Sequence, residues 1–394
     1  MTTTTTTTTT SSSFYSFNVT DMDNDSRVMS AEQYAEIEAS RKIFETAVGI
    51  GKYYLWILFA LGFPGNCAAI VTIFRMRPMG TFPVFVVMLA VMDTLALLVK
   101  LLHYQLIGHQ LDMGDAGCSL LRFLGSWTSA YCSWILVFMA LERYAAVRFP
   151  LKMSMHGGCN AHKVVSVLVV VGIIVALIYM PLLWTSETVT SPNLQCQFKE
   201  EYADLMNHAY HWVLGAVYAF FPFCLLTVVN FLIARQIRVS FTVRKDMRNM
   251  QLLPQSGQAS SDVLIQRQRP YPEVRANVKQ VNVMLLSATV VFVILTFPIC
   301  IYLLVDVYWQ TDPGYTTSAA VKFLCQQLAF LLVDSTHAVN FYLYFLSARR
   351  FRQQFLSPLA CWSGCKCNPK AACRKPSCSK QSWAATDQSE VDRL

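Results

Sequence analysis

A few side chains in this sequence stand where their surroundings make them expensive, and these are the ones able to do chemistry. Asp93 lies inside the apolar run Phe82–Leu102. An ionisable group there costs about 3 kcal/mol or more unless it turns inward and finds partners. Asn66 and Asn340, in two other apolar runs, are its expected partners. Glu142-Arg143-Tyr144 closes a third run, and an arginine beside a carboxylate has two states, paired at rest or released toward a partner. Lys100, His103, Arg122, Asp306 and Asp334 place mixed charge toward the far ends of four runs. Tyr104, Ser126, Trp127, Ser129, Tyr218, Tyr302 and Phe330 lie at similar depth. Asp93 and Asp334 fall in different depth layers, so the paired acids of an intramembrane hydrolase do not form. No glycine-rich loop is present to cradle phosphate, and the expectation is a protein that is not an enzyme.

The elements that must position these groups are unusually apolar. Charged residues make up 14% of the 394, where a soluble domain carries about 25%. Hydrophobic residues reach 54% and mean hydropathy is +0.38. That surplus excludes a set of soluble domains, a disordered or collagen-like chain and a nucleic-acid-binding module. A helix needs roughly 20 apolar residues to cross about 30 Å of hydrocarbon. Such stretches occur near Tyr53–Phe74, Phe82–Leu102, Leu120–Val147, Val164–Trp184, Trp212–Ala234, Val281–Val305 and Ala319–Leu346, seven in all. Backbone groups in lipid must be satisfied within the segment, so these are expected to be helices, and the short alternating segments of a barrel are not seen. A transporter would tend to show repeated halves or interrupted helices, and no such self-similarity is evident. The expected fold is an all-α membrane protein, a seven-transmembrane helix bundle.

The net charge of +8 is a matter of orientation. With residues 1–50 outside, 24 of the 32 basic residues fall on the inner side, against seven of the 24 acids, as the positive-inside tendency requires. The expected location is the plasma membrane, multi-pass, with the amino terminus extracellular. Thr2–Thr10 and Ser11–Ser13 are too polar to pack a core, so residues 1–50 read as a disordered outer tail with no cleaved signal peptide. Asn18 and Asn24 open glycosylation sequons in it. Residues 51–346 form the bundle, with an inner loop at about 238–277 that is disordered in the middle and helical at its basic ends. Residues 347–358 set Phe351 and Phe355 opposite arginines, as a short amphipathic interfacial helix does. Residues 359–394 are a basic, cysteine-rich inner tail.

Topology sorts the thirteen cysteines. Cys67, Cys132, Cys224, Cys300 and Cys325 read as small apolar packing residues of the spans. Cys118 and Cys196 alone stand clear on the oxidising side, where a disulfide is the economical reading and two free thiols the alternative. Cys361, Cys365 and Cys367, beside a basic amphipathic stretch, favour palmitoylation over a zinc site.

The detail inside the spans carries a resemblance. Gly65-Asn66, Leu89-Ala90-Val91-Met92-Asp93, Glu142-Arg143-Tyr144, Phe221-Pro222, Phe297-Pro298 and Asn340-Phe341-Tyr342-Leu343-Tyr344 occur in this order, ahead of the amphipathic helix. Over about residues 50–357 this resembles the rhodopsin-like (class A) G-protein-coupled receptors. The resemblance implies an extracellular ligand and a heterotrimeric G protein whose carboxy-terminal helix reaches Arg143 once the sixth helix swings outward about Pro298. Thr296, Asn340 and Tyr344 would belong to that switch, and arrestin and a receptor kinase would be further partners. It also implies a sodium pocket at Asp93 and Asn340. Cys132 and Thr336 stand where the family usually offers better oxygen ligands, so a sodium ion and an ion-free buried network both stay open. Departures are Thr296 for the usual aromatic, no tryptophan in the middle of span four, Phe341 for proline, and Asn230 for a tyrosine in span five. Val278 and Lys279 leave the foot of span six without an acid to lock Arg143, which predicts raised basal signalling.

Absences narrow the ligand. Biogenic-amine receptors need an acid where Gly125 stands, and opsins need a lysine where Asp334 stands. Outside the inner stretches the chain holds 17 acids against 8 bases. An acid-biased outer face attracts cations, and aromatic faces suit them too, so a short basic amidated peptide is expected to meet Asp306 and Asp334. The sequence looks like the invertebrate neuropeptide receptors of the FMRFamide type. Lys100 and Arg122 either contact ligand or pair internally with Asp334.

Overall fold

The computed structural model describes residues 31–362 except 77–80, 150–160, 191–193, 252–271, 307, 310 and 312–315. Asn18, Asn24, Cys365, Cys367 and the middle of the third inner loop lie outside the described residues, as does the Cys361 side chain. Residues 1–355 and 356–394 are separate units, and the helix bundle belongs to the first.

Helices α1 (Ala31–Arg75), α2 (Phe82–Gly108), α3 (Gly114–Arg148) and α4 (Ala161–Tyr179) lead to an antiparallel hairpin, β1 (Ser186–Val189) and β2 (Gln195–Phe198). Helix α5 is a composite run over 200–251, followed by α6 (Pro272–Asp306), α7 (Thr317–Ser347) and α8 (Arg349–Trp362). Among the described residues six helices are long and apolar enough to cross a membrane. The exception is α7, whose apolar content is diluted by Lys322, Gln326, Gln327 and Asp334. It nevertheless packs against α1, α2 and α6, and its Asp334, His337 and Asn340 are buried there. Polar groups turned inward are what a span can tolerate.

Each helix shows why it sits as it does. In α4 the buried residues Val164, Leu168, Gly172, Val175 and Tyr179 recur every three or four positions, which is one helical face. Val165, Val169, Val170, Ile173, Ile174 and Leu177 are left on the outside, as a lipid-facing surface requires. A Cβ at Gly172 would lie 3.1 Å from the Tyr131 ring, so glycine is what lets α3 approach α4. The missing tryptophan of α4 is compensated from the other side. Trp127 Nε1 donates to the Gly172 carbonyl oxygen at 3.0 Å, and Tyr131 Oη donates to that of Leu168 at 2.8 Å.

One boundary differs from expectation. Helix α1 begins at Ala31, so residues 31–50 are a helical extension and not part of a disordered tail. Ion pairs three and four residues apart support it, Arg41 and Lys42 with Glu38 and Arg41 with Glu45, and Phe44 stacks on Phe323 of α7 at 5.1 Å. The basic ends of the third inner loop are helical, to Gln251 and from Pro272. In α5, Met206–Tyr210 and Ala216–Phe220 are π-helical just ahead of Pro222, each accommodating a local extra residue.

Phe341 has a structural use. Its ring meets Phe351 and Phe355 of α8 edge-on at 5.8 and 5.3 Å. Arg352 donates to the carbonyl oxygens of Phe345 and Leu346, closing the end of α7.

Candidate functional site

The hairpin caps one end of the bundle through α3. The Cys118–Cys196 disulfide joins them, Ser119 Oγ donates to the Ser186 carbonyl oxygen, and Asp115 accepts from the Thr188 amide. At this disulfide end the expected ligand residues divide into paired and unpaired. Lys100 Nζ lies 2.5 Å from Asp334 Oδ1, Tyr54 Oη donates to Oδ2 at 3.2 Å, and Lys100 also faces the Tyr218 ring at 5.8 Å. Asp306 pairs with Lys322 at 3.1 Å and accepts from Tyr302 Oη at 3.0 Å. Both carboxylates expected to meet a cationic ligand are paired with lysines, and for Lys100 the alternative of internal pairing with Asp334 is the one that forms.

Arg122 is different. Its guanidinium lies 3.9 Å above the Phe198 ring of β2, and its Nη1 is buried without a hydrogen-bond partner. Among the described residues no carboxylate pairs with it, so of the two alternatives the internal pairing with Asp334 does not form. His103 is within electrostatic reach of Arg122, and its Nδ1 is likewise buried and unbonded. Ser129 Oγ and Tyr218 Oη are also buried without partners, Ser126 and Tyr104 are half-buried, and Phe330 packs in an apolar cluster with Tyr218 and Tyr302. The α3 side of the disulfide end thus carries a guanidinium without an anion.

In the middle of the bundle, Asp93 accepts from Asn340 Nδ2 at 2.8 Å and lies 2.8 Å from His337 Nδ1. The Cys132 thiol lies within 4.8 Å of the same carboxylate. Asn66 reaches the layer indirectly, donating to the His337 carbonyl oxygen at 3.2 Å. Sodium is a hard cation that prefers oxygen, whereas this layer presents an imidazole and a thiol beside one carboxylate. The donor set does not match sodium.

At the opposite end, Arg143 Nε lies 2.7 Å from Glu142 Oε2, a close ion contact outside good hydrogen-bond alignment. Thr81 Oγ1 holds the other Glu142 oxygen at 2.7 Å, and Phe82 lies under the guanidinium at 5.9 Å. Tyr144 is half-buried beside them. The Val278 and Lys279 side chains lie outside the described residues. Above them Thr289 Oγ1 donates to Asn230 Oδ1 at 2.7 Å, joining α6 to α5. Pro298 interrupts α6 next to the buried Thr296, whose Oγ1 has no partner, and the buried Tyr344 Oη has none either. A helix interrupted by proline loses a backbone hydrogen bond and can bend there.

Sequence reasoning missed Lys322, Phe198 and His337. Only His337 had a local signal, since it stands three residues before Asn340 and so on the same face of α7.

The profile of the family described as 7 transmembrane receptor (rhodopsin family) matches residues 65–336. The chain belongs to that family, whose members are receptors and not enzymes. Among curated proteins it is similar to purinoceptor 1 of Mus musculus, 31% identical over 40% of this chain and 44% of that one. It is 29% identical to purinoceptor 1 of Meleagris gallopavo over 50% and 55%. The 2-oxoglutarate receptor 1 of Mus musculus is 38% identical over 24% and 29%. The chain thus spans about half or less of the relatives it matches, and none of these three is named for a peptide.

Proposed function

We propose that this chain is a plasma-membrane receptor, amino terminus outside, that binds an extracellular ligand carrying an anionic group and activates a heterotrimeric G protein. The observation that supports it is Arg122, seated on Phe198 with a buried, unbonded Nη1, while both nearby acids are occupied by lysines. A guanidinium left this way matches a carboxylate or phosphate, which it binds through parallel N–H donors. His103 adds a second unbonded nitrogen, and Lys100, Tyr104, Ser126, Ser129, Tyr218, Tyr302, Phe330, Asp306 and Asp334 complete the wall. One relative is named for 2-oxoglutarate, a dicarboxylate, and that supports the same class. A short neuropeptide is the second reading, favoured by the 17 acids against 8 bases outside the inner stretches. Arrestin and a receptor kinase belong to this proposal, as do glycans on Asn18 and Asn24 and lipid on Cys361, Cys365 or Cys367.

At the opposite end Arg143 leaves Glu142 for the carboxy-terminal helix of the G protein when α6 bends at Pro298. The test is a panel of carboxylates, purine nucleotides and basic amidated peptides on cells carrying calcium and cAMP reporters. Anionic compounds should act, and Arg122→Ala should raise their half-maximal concentration about 10- to 100-fold, as loss of a charged hydrogen bond implies. Arg143→Ala should abolish nucleotide exchange with surface expression intact. Responses to basic peptides alone, with potency indifferent to Arg122, would overturn the ligand class.

A further inference from the structure

Arg122 is not alone in lacking a partner where the hairpin meets α3. Ser186 of β1 stands directly opposite Phe198 of β2, and residues paired in this way across antiparallel strands share a face. That face is the one laid on α3. Phe198 meets the Arg122 guanidinium there, and Cys196, on the same side of β2 as Phe198, is bonded to Cys118. The backbone fastens Ser186 in place, since Ser119 Oγ donates to its carbonyl oxygen at 3.1 Å and Ser119 precedes Arg122 by about one turn of α3. The Ser186 side chain is buried, yet its Oγ has no hydrogen-bond partner. Arg122 Nη1 and, within electrostatic reach of it, His103 Nδ1 are in the same condition.

We infer that these groups hold a small inorganic monoanion of the halide class, chloride from the bathing solution, between α2, α3 and the hairpin. Buried polar atoms are almost always satisfied, so three orphans around one guanidinium call for an occupant. All three can donate: a guanidinium only donates, a hydroxyl donates once its proton turns inward, and an imidazole donates from the nitrogen that carries its proton. The occupant is therefore an acceptor. It is also small, because the Phe198 ring covers one side of the guanidinium and the three orphan atoms are shut off from solvent. A halide is spherical and accepts N–H and O–H from any direction, which suits donors arriving from three separate elements.

Charge agrees. A buried ion without a counter-charge is costly, and among the described residues no carboxylate reaches Arg122. Lys100, one turn from His103 on α2, is already balanced by Asp334, so the unbalanced charge is a single positive one. Water would satisfy the hydrogen bonds and leave that charge standing, whereas one monoanion answers both. The consequence for signalling rests on the proposed function, which gives the same guanidinium to the ligand's anionic group: the ligand then displaces the resident halide, and its potency falls as chloride rises.

The test uses the full-length chain in nanodiscs of zwitterionic lipid, without agonist, in sodium gluconate replaced stepwise by chloride or bromide at constant ionic strength. Both halides should raise the melting temperature saturably, and the protein should broaden the 35Cl resonance. Arg122→Gln should lose both effects, and Ser186→Ala should weaken halide binding about 10-fold or more, as loss of a hydrogen bond to a charged group implies. Melting temperatures in gluconate report whether each variant folds, and either folded variant suffices. In cells, chloride in place of gluconate should shift the dose–response of an anionic agonist to the right with its maximum unchanged. No saturable halide effect, or an effect unchanged in a folded variant, would overturn the site whatever the ligand panel shows. Halide bound through Arg122 while every anionic compound stays silent would uphold the site and overturn the ligand class.

Discussion

The disulfide end and the middle of the bundle handle buried charge in opposite ways. At the disulfide end Asp334 and Asp306 are each met by a full cation from another helix, Lys100 and Lys322. In the middle, Asp93 is met by an amide and an imidazole, with the Cys132 thiol nearby. An ion pair fixes its helices and leaves no charge to offer. A carboxylate held by weak donors keeps its charge available to a cation. The excess at the disulfide end therefore passes to Arg122, which is positive, and the excess in the middle stays on Asp93, which is negative.

Asp334→Ala should disturb this contrast most strongly. It strands the Lys100 ammonium, and loss of one partner of a buried pair costs about 3–5 kcal/mol. The detergent-solubilised receptor should melt at a markedly lower temperature, and Lys100→Met combined with Asp334→Leu should recover most of the loss. A single variant as stable as wild type would mean that the pair holds nothing. Next comes Asp93→Asn, which keeps the shape and removes the charge. Its donors lose a charged acceptor worth about 1.5–3 kcal/mol, again read as melting temperature. Least is Lys322→Met. Its side chain is 22% exposed and that of Asp306 33%, so the pair contributes about 0–1 kcal/mol and should melt near wild type. If Lys322→Met proved as damaging as Asp334→Ala, depth would not be what separates the pairs.

Much of this was legible in the chain. The spans announce themselves because hydrocarbon demands long apolar runs, and Cys118 and Cys196 were identifiable because topology left them alone on one side. The family motifs singled out Asp93, Arg143, Pro298 and Asn340, and the family itself is shown by the match over residues 65–336. The polar residues of α7 weaken its apolar signal, yet their burial is what seats the helix in the bundle. Residues 31–50 misled because their charges look like those of a solvated tail, whereas the pairs fall at helical spacing and Phe44 finds Phe323.

Sequence by itself determined the number of spans, their apolar character and which side chains would be costly to bury, since those follow from composition and local spacing. Only the tertiary structure decided which costly group answers which. Lys100 and Asp334 are 234 positions apart, Asp93 and His337 244, and Arg122 meets a ring on a hairpin that no periodicity announced. Electrostatic and hydrogen-bond energies depend on distances of a few ångströms between helices. That leaves the chain able to say that Arg122 and Asp93 are charged, and the fold to say that one lacks an anion and the other a cation.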